Sequence, residues 1–350
     1  MAVLDVKSAG LEPADLDSIA LALQDKSHNI TAVDVSGNDL GEEGGAKVLE
    51  LFMQNQLVRR LAMNSNELGD EAAAVCAKVL AANTTIEELE LQGNSIFIDG
   101  VKLLAEALQK NRTLQRLDLS HNQLGIYGAE LVASGLAQSS LAYLNISGNR
   151  VCGRGAEQLL MASKDTGLRH LDLAMNEIGP QNLDLILAPL ASSSLNSINL
   201  GSNRIDGEGA QQICTALKEN SRLEVLMLQQ NDLGPDGAAH VAELLGSSSL
   251  TGLDLAGNSI GDTGAASLAA VLERCKLIGL GLGHNSITDQ GAKQLASALP
   301  ANLESLQLTC NAIGDEGALE FKSAVEKGLV LDLMYNNLSS EVAESLRKEG

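Results

Sequence analysis

Apolar and polar positions alternate in short runs along the chain, and each run ends at an asparagine. The pattern is clearest at Leu114, Leu117, Leu119, Asn122 and Leu124, which fit the frame L-x-x-L-x-L-x-x-N-x-L. Two leucines around one polar residue predict a short strand with one buried face, because strand side chains alternate between its two sides. The asparagine amide can donate to and accept from backbone groups at the sharp turn that follows.

The asparagine recurs in register along the whole chain, at intervals of 25 to 28 residues, which indicates an internal repeat. Its positions are Asn38, Asn66, Asn94, Asn122, Asn149, Asn176, Asn203, Asn231, Asn258, Asn285, Asn311 and Asn336. A further copy of the frame begins the chain, with Leu4, Val6 and Leu11 in register and Ala9 in place of the asparagine. Because terminal repeats cover the exposed end of a core, we expect residues 1–29 to form a degenerate capping repeat.

A second pattern follows each asparagine and predicts an amphipathic helix. Acidic, glycine-rich segments such as residues 314–318 suit a helix N-terminus. Pro13, Pro180 and Pro235 occupy one repeat position, where the first helical turn tolerates proline. Small or aliphatic residues recur seven, ten and fourteen positions after the asparagine, on one helical face. Pro189 lies inside one expected helix and should shorten or kink it.

Strands and helices joined by short links predict an α/β solenoid. We expect parallel β-strands on the concave face of a horseshoe and α-helices on its convex face. Each repeat packs only on its neighbours, so the whole chain, residues 1–350, is expected to form one domain. Residues 30–338 are then the full repeats, and residues 339–350 form a C-terminal capping helix.

The charge and the cysteines narrow the classes of partner. A net charge of −21 is repelled by phosphate backbones and anionic lipid, so we expect a basic protein surface as the partner rather than nucleic acid or membrane.

The chain begins without a leader pattern and has no apolar run of about 18 residues, which favours a cytoplasmic location. Sequons at residues 83–85 and 111–113 are then incidental. Five dispersed cysteines without a CxxC pair predict neither a disulfide framework nor a zinc site.

Residues 111–122, NRTLQRLDLSHN, and the recurrent LGDEGA segment resemble the ribonuclease-inhibitor-like leucine-rich repeats. Such repeats occur in ribonuclease inhibitor, in the Ran GTPase-activating protein and in NOD-like receptors. The resemblance covers essentially the whole chain and implies a leucine-rich-repeat solenoid. Three departures separate this chain from those proteins: few cysteines and no tryptophan, no GxxxxGK[ST] loop, and no acidic C-terminal tail. No functional residue can be transferred from them.

Two features suggest catalytic or cofactor chemistry, but the repeat accounts for both. Residues 279–283, GLGLG, resemble a dinucleotide fingerprint, yet their leucines are repeat leucines and the GxGxxG spacing is missing. They predict a flat patch without side chains. His284 and Cys310 precede their asparagines on adjacent units, where a pair of rim side chains is expected rather than a nucleophile. We therefore expect no catalytic residue, metal, cofactor or small-molecule substrate.

Bulky residues at exposed strand positions are the candidate protein-binding residues. In a chain with three tyrosines and seven methionines, one group lies at the centre and another near the C-terminus. Tyr, Arg and Met are enriched at interface cores, whereas drift at exposed positions is the competing interpretation. The candidates are Arg116, Tyr143, His170, Met175, Met227, Met334 and Tyr335.

The column between the paired core leucines contains six acidic residues: Asp34, Glu90, Asp118, Asp172, Asp254 and Asp332. The column predicts an acidic inner wall that attracts a basic ligand. The sequence therefore predicts a non-enzymatic protein–protein interaction scaffold that binds through its concave β-face. Two alternatives remain open: a GTPase-activating protein for a Ran-type GTPase, or a structural subunit of a ciliary or cytoskeletal assembly.

Overall fold

The computed structural model describes residues 2–11 and 15–346 of the chain. Residues 1–176 and 177–350 form two compact units. In both units, parallel strands of mostly three residues alternate with helices, as the sequence predicts for an α/β solenoid of leucine-rich repeats. Within the described ranges, no helix is long and apolar enough to span a membrane.

The described residues of the first unit form seven strands, each parallel to the next along the chain. They are β1 (Ala2–Asp5), β2 (Ile30–Asp34), β3 (Arg60–Ala62), β4 (Glu88–Glu90), β5 (Arg116–Asp118), β6 (Tyr143–Asn145) and β7 (His170–Asp172). The helices between them are α1 (Asp15–Gln24), α2 (Gly41–Glu50), α3 (Gly69–Ala82), α4 (Ile98–Leu108), α5 (Gly125–Leu136) and α6 (Cys152–Ser163), with a short 3₁₀ helix at Lys26–His28.

The second unit repeats this arrangement, with six parallel strands between residues 177 and 346. They are β8 (Ser197–Asn199), β9 (Val225–Met227), β10 (Gly252–Asp254), β11 (Gly279–Gly281), β12 (Ser305–Gln307) and β13 (Val330–Asp332). Its helices are α7 (Asp184–Ala191), α8 (Gly207–Leu217), α9 (Gly234–Leu245), α10 (Gly261–Leu272), α11 (Asp289–Ser297), α12 (Asp315–Leu319), α13 (Lys322–Glu326) and α14 (Ser340–Ser345).

The core of each unit lies between its strands and its helices. The central leucine of β5 is fully buried, while its neighbours Arg116 and Asp118 are half-buried on the other side of the sheet. The same alternation holds for most strands, because neighbouring side chains point to opposite faces. We call the surface formed by these outward residues the strand face. It is the surface that the sequence predicts to be concave.

The repeated asparagines form buried hydrogen-bond ladders in both units, as predicted. In the first unit, the N–H of Asn66 donates to Oδ1 of Asn94 over 2.8 Å. In the second unit, the side chain of Asn231 donates to the carbonyl of Leu200 over 3.0 Å and accepts from the N–H of Asn203 over 2.9 Å. Each amide thus satisfies backbone groups of neighbouring repeats that are shielded from water.

A second set of buried asparagines joins the ends of helices to the following strands. Asn83, Asn111 and Asn220 each donate to carbonyls of the previous repeat and accept N–H groups two and three residues ahead. Asn83 and Asn111 are the sequon asparagines. Because both side chains are buried and hydrogen-bonded, these residues have a structural role that the sequence analysis did not predict.

The predictions made for the prolines differ in how they compare with the structure. Pro189 lies inside α7, which has only 8 residues, so the predicted shortening is confirmed. Pro235 lies in the first turn of α9, as expected. The placement of Pro180 in a first helical turn is wrong, because it lies in a turn before α7. Pro13 lies outside the described residues, as do residues 347–350 of the expected capping helix; α14 forms the described part of that helix.

Candidate functional site

Arg116, Tyr143 and His170 form one row across three adjacent strands of the first unit. The strand register pairs Arg116 with Tyr143 and Tyr143 with His170. The guanidinium carbon of Arg116 lies 3.5 Å from the centre of the Tyr143 ring. The ring centres of Tyr143 and His170 lie 6.2 Å apart with the planes tilted by 34°. The aromatic ring is therefore held between two side chains that can donate hydrogen bonds.

The phenol of Tyr143 is half-buried within this row. Burial raises the pKa of the Tyr143 phenol above its ordinary value. The nearby Arg116 lowers this pKa, whereas the carboxylates of Asp172 and Asp118 raise it. Because the net shift is upward, Tyr143 remains a neutral hydrogen-bond donor at neutral pH, with acidic groups on both sides.

The acidic column beside this row also stabilises the turns after the strands. Oδ1 of Asp118 accepts the N–H of Ser120 over 2.8 Å, and Asp172 and Asp254 accept the N–H two residues ahead in the same way. A short side chain that bonds its own backbone two residues on forms an Asx turn. The recurrence of Asp and Asn in this column therefore has a structural cause as well as an electrostatic effect.

The strand face of the first unit carries charges of both signs with an acidic excess. Its strands present six carboxylates, of Asp5, Asp34, Glu88, Glu90, Asp118 and Asp172, against the two arginines Arg60 and Arg116. Arg60 contacts Glu90 at 2.8 Å and Glu88 at 3.7 Å, so part of the acidic wall is paired within the protein. In the second unit, the strands themselves carry only two acidic residues, Asp254 and Asp332.

Met175 and Met227 lie in different units. Met175 is in the turn after β7, with a positive φ of 56° and 52% of its surface exposed. It is therefore an exposed apolar side chain five residues after His170. Met227 is on β9, where it lines a shallow hollow of about 230 Å³.

The glycines of β10 and β11 form the floor of this hollow, including two glycines of the predicted flat patch, Gly279 and Gly281. A Cβ atom at Gly281 would lie 2.5 Å from Oδ1 of Asp254, whereas one at Gly279 would meet nothing within 4 Å. Gly281 thus leaves room for a neighbouring carboxylate.

Met334 and Tyr335 follow β13 at the C-terminal end of the second unit. They are 60% and 78% exposed, and both line a groove of about 560 Å³ between β13 and α14. The floor of the groove is largely aliphatic, with Leu331, Leu333 and Leu346 among its residues. Of the candidate residues, Arg116, Tyr143, His170 and Met175 thus belong to the first unit, and Met227, Met334 and Tyr335 belong to the second.

The thiols and carboxylates give little support for a nucleophilic or a metal-binding site. Burial raises the pKa of Cys76 and of Cys214 to about 12, which leaves both thiols protonated. His284 is exposed and Cys310 is half-buried, both in turns with positive φ. Among the residues that the structure describes, no group of three or more His, Cys, Asp or Glu side chains could hold a metal ion.

An apolar surface lies at the start of two adjacent helices, and none of its residues is among the predicted site residues. Phe97 and Ile98 are about half exposed at the start of α4, and Tyr127 is 71% exposed in the first turn of α5. Most other repeats have Gly, Asp or Glu at the equivalent positions. Aromatic or aliphatic residues at positions that are usually small or acidic are the feature of the sequence that could have indicated this surface. Four of the chain's six Phe and Tyr residues lie outside the row and the C-terminal group, and two of these four, Phe97 and Tyr127, are exposed here.

Comparison with known protein families finds the same kind of repeat that the sequence predicts. A family model described as Leucine Rich repeat matches residues 26–49, 110–133, 165–181, 191–214, 246–269 and 300–322. No curated protein sequence matches the chain.

Solved structures resemble the chain over most of its length. In the yeast Rad7 and Elc1 complex, the similar chain is 15% identical with a TM-score of 0.63, over 95% of this chain and 86% of that one. The leucine-rich-repeat protein LegL7 of Legionella pneumophila is 19% identical with a TM-score of 0.53, over 89% and 90%. An internalin of Listeria monocytogenes is 19% identical with a TM-score of 0.51, over 97% and 94%. The six matched segments therefore have the sequence of leucine-rich repeats, and the solved structures share the fold of this chain.

Proposed function

We propose that the protein is a non-enzymatic scaffold that binds a basic protein through the strand face of its first unit. Leucine-rich repeats support a protein-interaction scaffold, and the strand face is the surface whose side chains vary without changing the core. The row Arg116, Tyr143 and His170 is the observation that carries the proposal. A tyrosine held in place by two neighbours loses little side-chain freedom on binding, which favours it as an anchor.

The acidic excess around the row supports a basic partner. Asp118 and Asp172 lie close enough to raise the pKa of Tyr143, so a cation docked beside the phenol would meet both carboxylates. The net charge of −21 also attracts a basic surface over a longer range and opposes binding of nucleic acid and anionic lipid.

A cytoplasmic location is the matching proposal for the compartment. All five cysteines lie in the described part of the chain, and none of them forms a disulfide. Two of them, Cys152 and Cys310, are only half-buried. Thiols of this kind persist in a reducing compartment.

Comparative affinity purification tests the function. The protein and its Tyr143→Ala, Arg116→Ala and Tyr127→Ala variants are immobilised, and proteins retained from native extract are quantified by mass spectrometry. We expect a protein of basic isoelectric point that is retained by the unchanged chain and by Tyr127→Ala, and depleted on Tyr143→Ala and Arg116→Ala. Equal retention on all four chains, or loss only on Tyr127→Ala, would contradict binding at the strand face.

A further inference from the structure

Among the described residues of the second unit, β13 is the last strand of the sheet, and its hydrogen-bonding groups continue the pattern of the strand before it. Between β12 and β13, the N–H of Val330 donates to the carbonyl of Glu304 over 2.8 Å. The N–H groups of Leu308 and Cys310 donate to the carbonyls of Asp332 and Met334 over 2.8 and 2.9 Å. One repeat later, the register places Leu329 O, Leu333 N and Tyr335 N in the equivalent positions.

These three groups point away from β12, because successive residues of a parallel strand bond to opposite sides. In the part of the chain that the structure describes, none of them has a protein hydrogen-bond partner. The N–H of Asn336 also has no protein hydrogen-bond partner among the described residues. Two repeats earlier, the equivalent N–H of Asn285 donates to Oδ1 of the next ladder asparagine, Asn311, over 2.9 Å. The edge of β13 thus has both the backbone and the asparagine groups of an interior strand.

The side chains beside this edge are apolar and incompletely covered. Leu306 and Leu308 of the preceding repeat are fully buried, whereas the equivalent Leu331 and Leu333 are only half-buried. α14 packs near α12 and lines one side of the groove with Ala343 and Leu346, leaving a volume of about 560 Å³ next to β13. A groove of this size accepts several aliphatic side chains. α14 therefore covers the helix layer and leaves the strand layer open.

We propose that this C-terminal groove binds an extended segment of another protein as an additional strand parallel to β13. Strand addition to an exposed edge obtains affinity from main-chain hydrogen bonds and specificity from pockets that take alternate side chains. The main-chain hydrogen bonds would be made by Leu329 O, Leu333 N and Tyr335 N. The pocket for alternate side chains is lined by Leu331, Leu333 and Leu346. The segment carries two apolar residues separated by one residue, and then a side-chain oxygen that accepts from Asn336.

A partner segment fits this edge better than a second copy of the chain does. The bound segment needs only a few extended residues, whereas a second copy would bring a whole chain of charge −21 against another. The proposal does not depend on the function proposed above, because the row around Tyr143 belongs to the first unit and the groove to the second.

A peptide taken from the chain's own β12 repeat is a suitable probe. The fluorescent peptide has the sequence of residues 301–313 with Ser at the position of Cys310, and therefore has the pattern of a following strand. Bound as an additional strand, its residue equivalent to Ser305 would donate to Leu329 O. We expect saturable binding to the full-length protein by fluorescence anisotropy, weakened about tenfold by N-methylation at that residue, since one hydrogen bond is lost. N-methylation at the residue equivalent to Leu306, whose N–H faces outward, is the matched control and should change the Kd less than about threefold.

Protein variants locate the peptide in the groove. Ala343→Lys introduces a charge into the groove wall on α14, while Glu344→Lys changes the neighbouring exposed position of the same helix. We expect Ala343→Lys to weaken binding at least about tenfold and Glu344→Lys to leave it nearly unchanged, with circular dichroism confirming that both fold. Tyr143→Ala should bind the peptide normally.

Three results would overturn the proposal. They are no saturable binding, equal weakening by the two N-methylations, or unchanged binding to a folded Ala343→Lys variant. Sedimentation velocity of the unchanged protein provides the remaining test. A concentration-dependent dimer that Ala343→Lys abolishes would assign the groove to a second copy and also reject the proposal.

Discussion

Asn111 donates its side-chain amide to the main-chain carbonyl of Leu80, 31 residues earlier in the chain, over 2.7 Å. Leu80 lies in the last turn of α3, where carbonyls lack a partner within their own helix. The same asparagine accepts the N–H groups of Thr113 and Leu114 over 2.9 and 2.8 Å. One side chain thus caps the helix of one repeat and fixes the start of the next strand segment.

Replacing Asn111 with Leu should therefore destabilise the fold. The change leaves several buried backbone groups without partners, so we expect the free energy of unfolding to fall by about 3 kcal/mol. Asn337→Leu, at an exposed position, is the control and should stay within about 0.5 kcal/mol. Urea unfolding followed by circular dichroism measures both. Equal stability of the two variants would show that the second asparagine set is dispensable.

Gly135 allows α4 and α5 to approach closely. A Cβ atom at this position would lie 2.9 Å from the carbonyl oxygen of Ala105 and 3.1 Å from its Cα. Backbone atoms cannot rotate away, so Gly135→Ala should lower the free energy of unfolding by about 1–3 kcal/mol despite the better helix propensity of alanine. Ser134→Ala, on the exposed side of the same helix, should be neutral or slightly stabilising. If Gly135→Ala is instead the more stable variant, the helices have room to separate.

The strands, helices and first asparagine ladder could be predicted because one frame repeats in register along the chain. The row of Arg116, Tyr143 and His170 could be predicted for the same reason: parallel strands align residues that are 27 positions apart. The stacking of Arg116 on Tyr143 could not, since it depends on the side-chain conformations.

Other features depended on contacts that no single repeat reveals. Asn111 and its equivalents occur in only a few repeats, so their pattern was too sparse to stand out. The Asx turns of the acidic column depend on the backbone after each strand. The C-terminal groove depends on where α14 packs, which a short polar-faced helix does not specify by its sequence.

The cysteines should separate into slow and fast groups toward a thiol reagent at pH 8. Burial raises the pKa of Cys76 and Cys214 to about 12, so neither forms much of the reactive thiolate in the folded protein. The half-buried Cys152 and Cys310 should be alkylated first. Mass spectrometry of iodoacetamide-treated protein identifies the modified peptides, and early labelling of Cys76 would contradict a closed core.

The same two thiols give a pH dependence of stability. Their pKa is higher in the folded chain than the unfolded value of 9.0, so the folded state holds its protons more tightly. Their contribution to stability is complete below pH 9 and is lost as pH rises toward 12. Urea unfolding of the protein and of a Cys76→Ala, Cys214→Ala variant between pH 7 and pH 10 should show a smaller alkaline decline in the variant. Parallel declines would remove the role of the thiols.

Binding of the proposed basic partner should weaken as the salt concentration rises. The screening length of charges falls from about 10 Å at 0.1 M salt to about 3 Å at 1 M, so the attraction of the acidic strand face decreases. Titration calorimetry at several salt concentrations measures the effect. Peptide binding at the C-terminal groove is the internal comparison, because apolar burial and main-chain hydrogen bonds depend weakly on salt. Partner binding that does not change with salt would indicate an apolar interface instead.

Tyr143→Ala should reduce the affinity for the partner while leaving the fold intact. The ring lies half-buried on the strand face, between Arg116 at 3.5 Å and His170 at 6.2 Å, so its loss removes the centre of the row. We expect a loss of at least about 1–2 kcal/mol of binding free energy, the usual cost at an anchoring residue. The melting temperature should change little, because Tyr143 points away from the core leucines.

The double variant tests whether the row acts as a unit. Because Arg116 holds the Tyr143 ring, removing both side chains should cost less than the sum of the two single losses. Tyr127→Ala, at an exposed aromatic residue on the helix side, is the matched control and should stay within about 0.5 kcal/mol. If Tyr127→Ala abolishes binding while Tyr143→Ala and Arg116→Ala bind normally, the partner docks on the helices and the strand face has no part in its recognition.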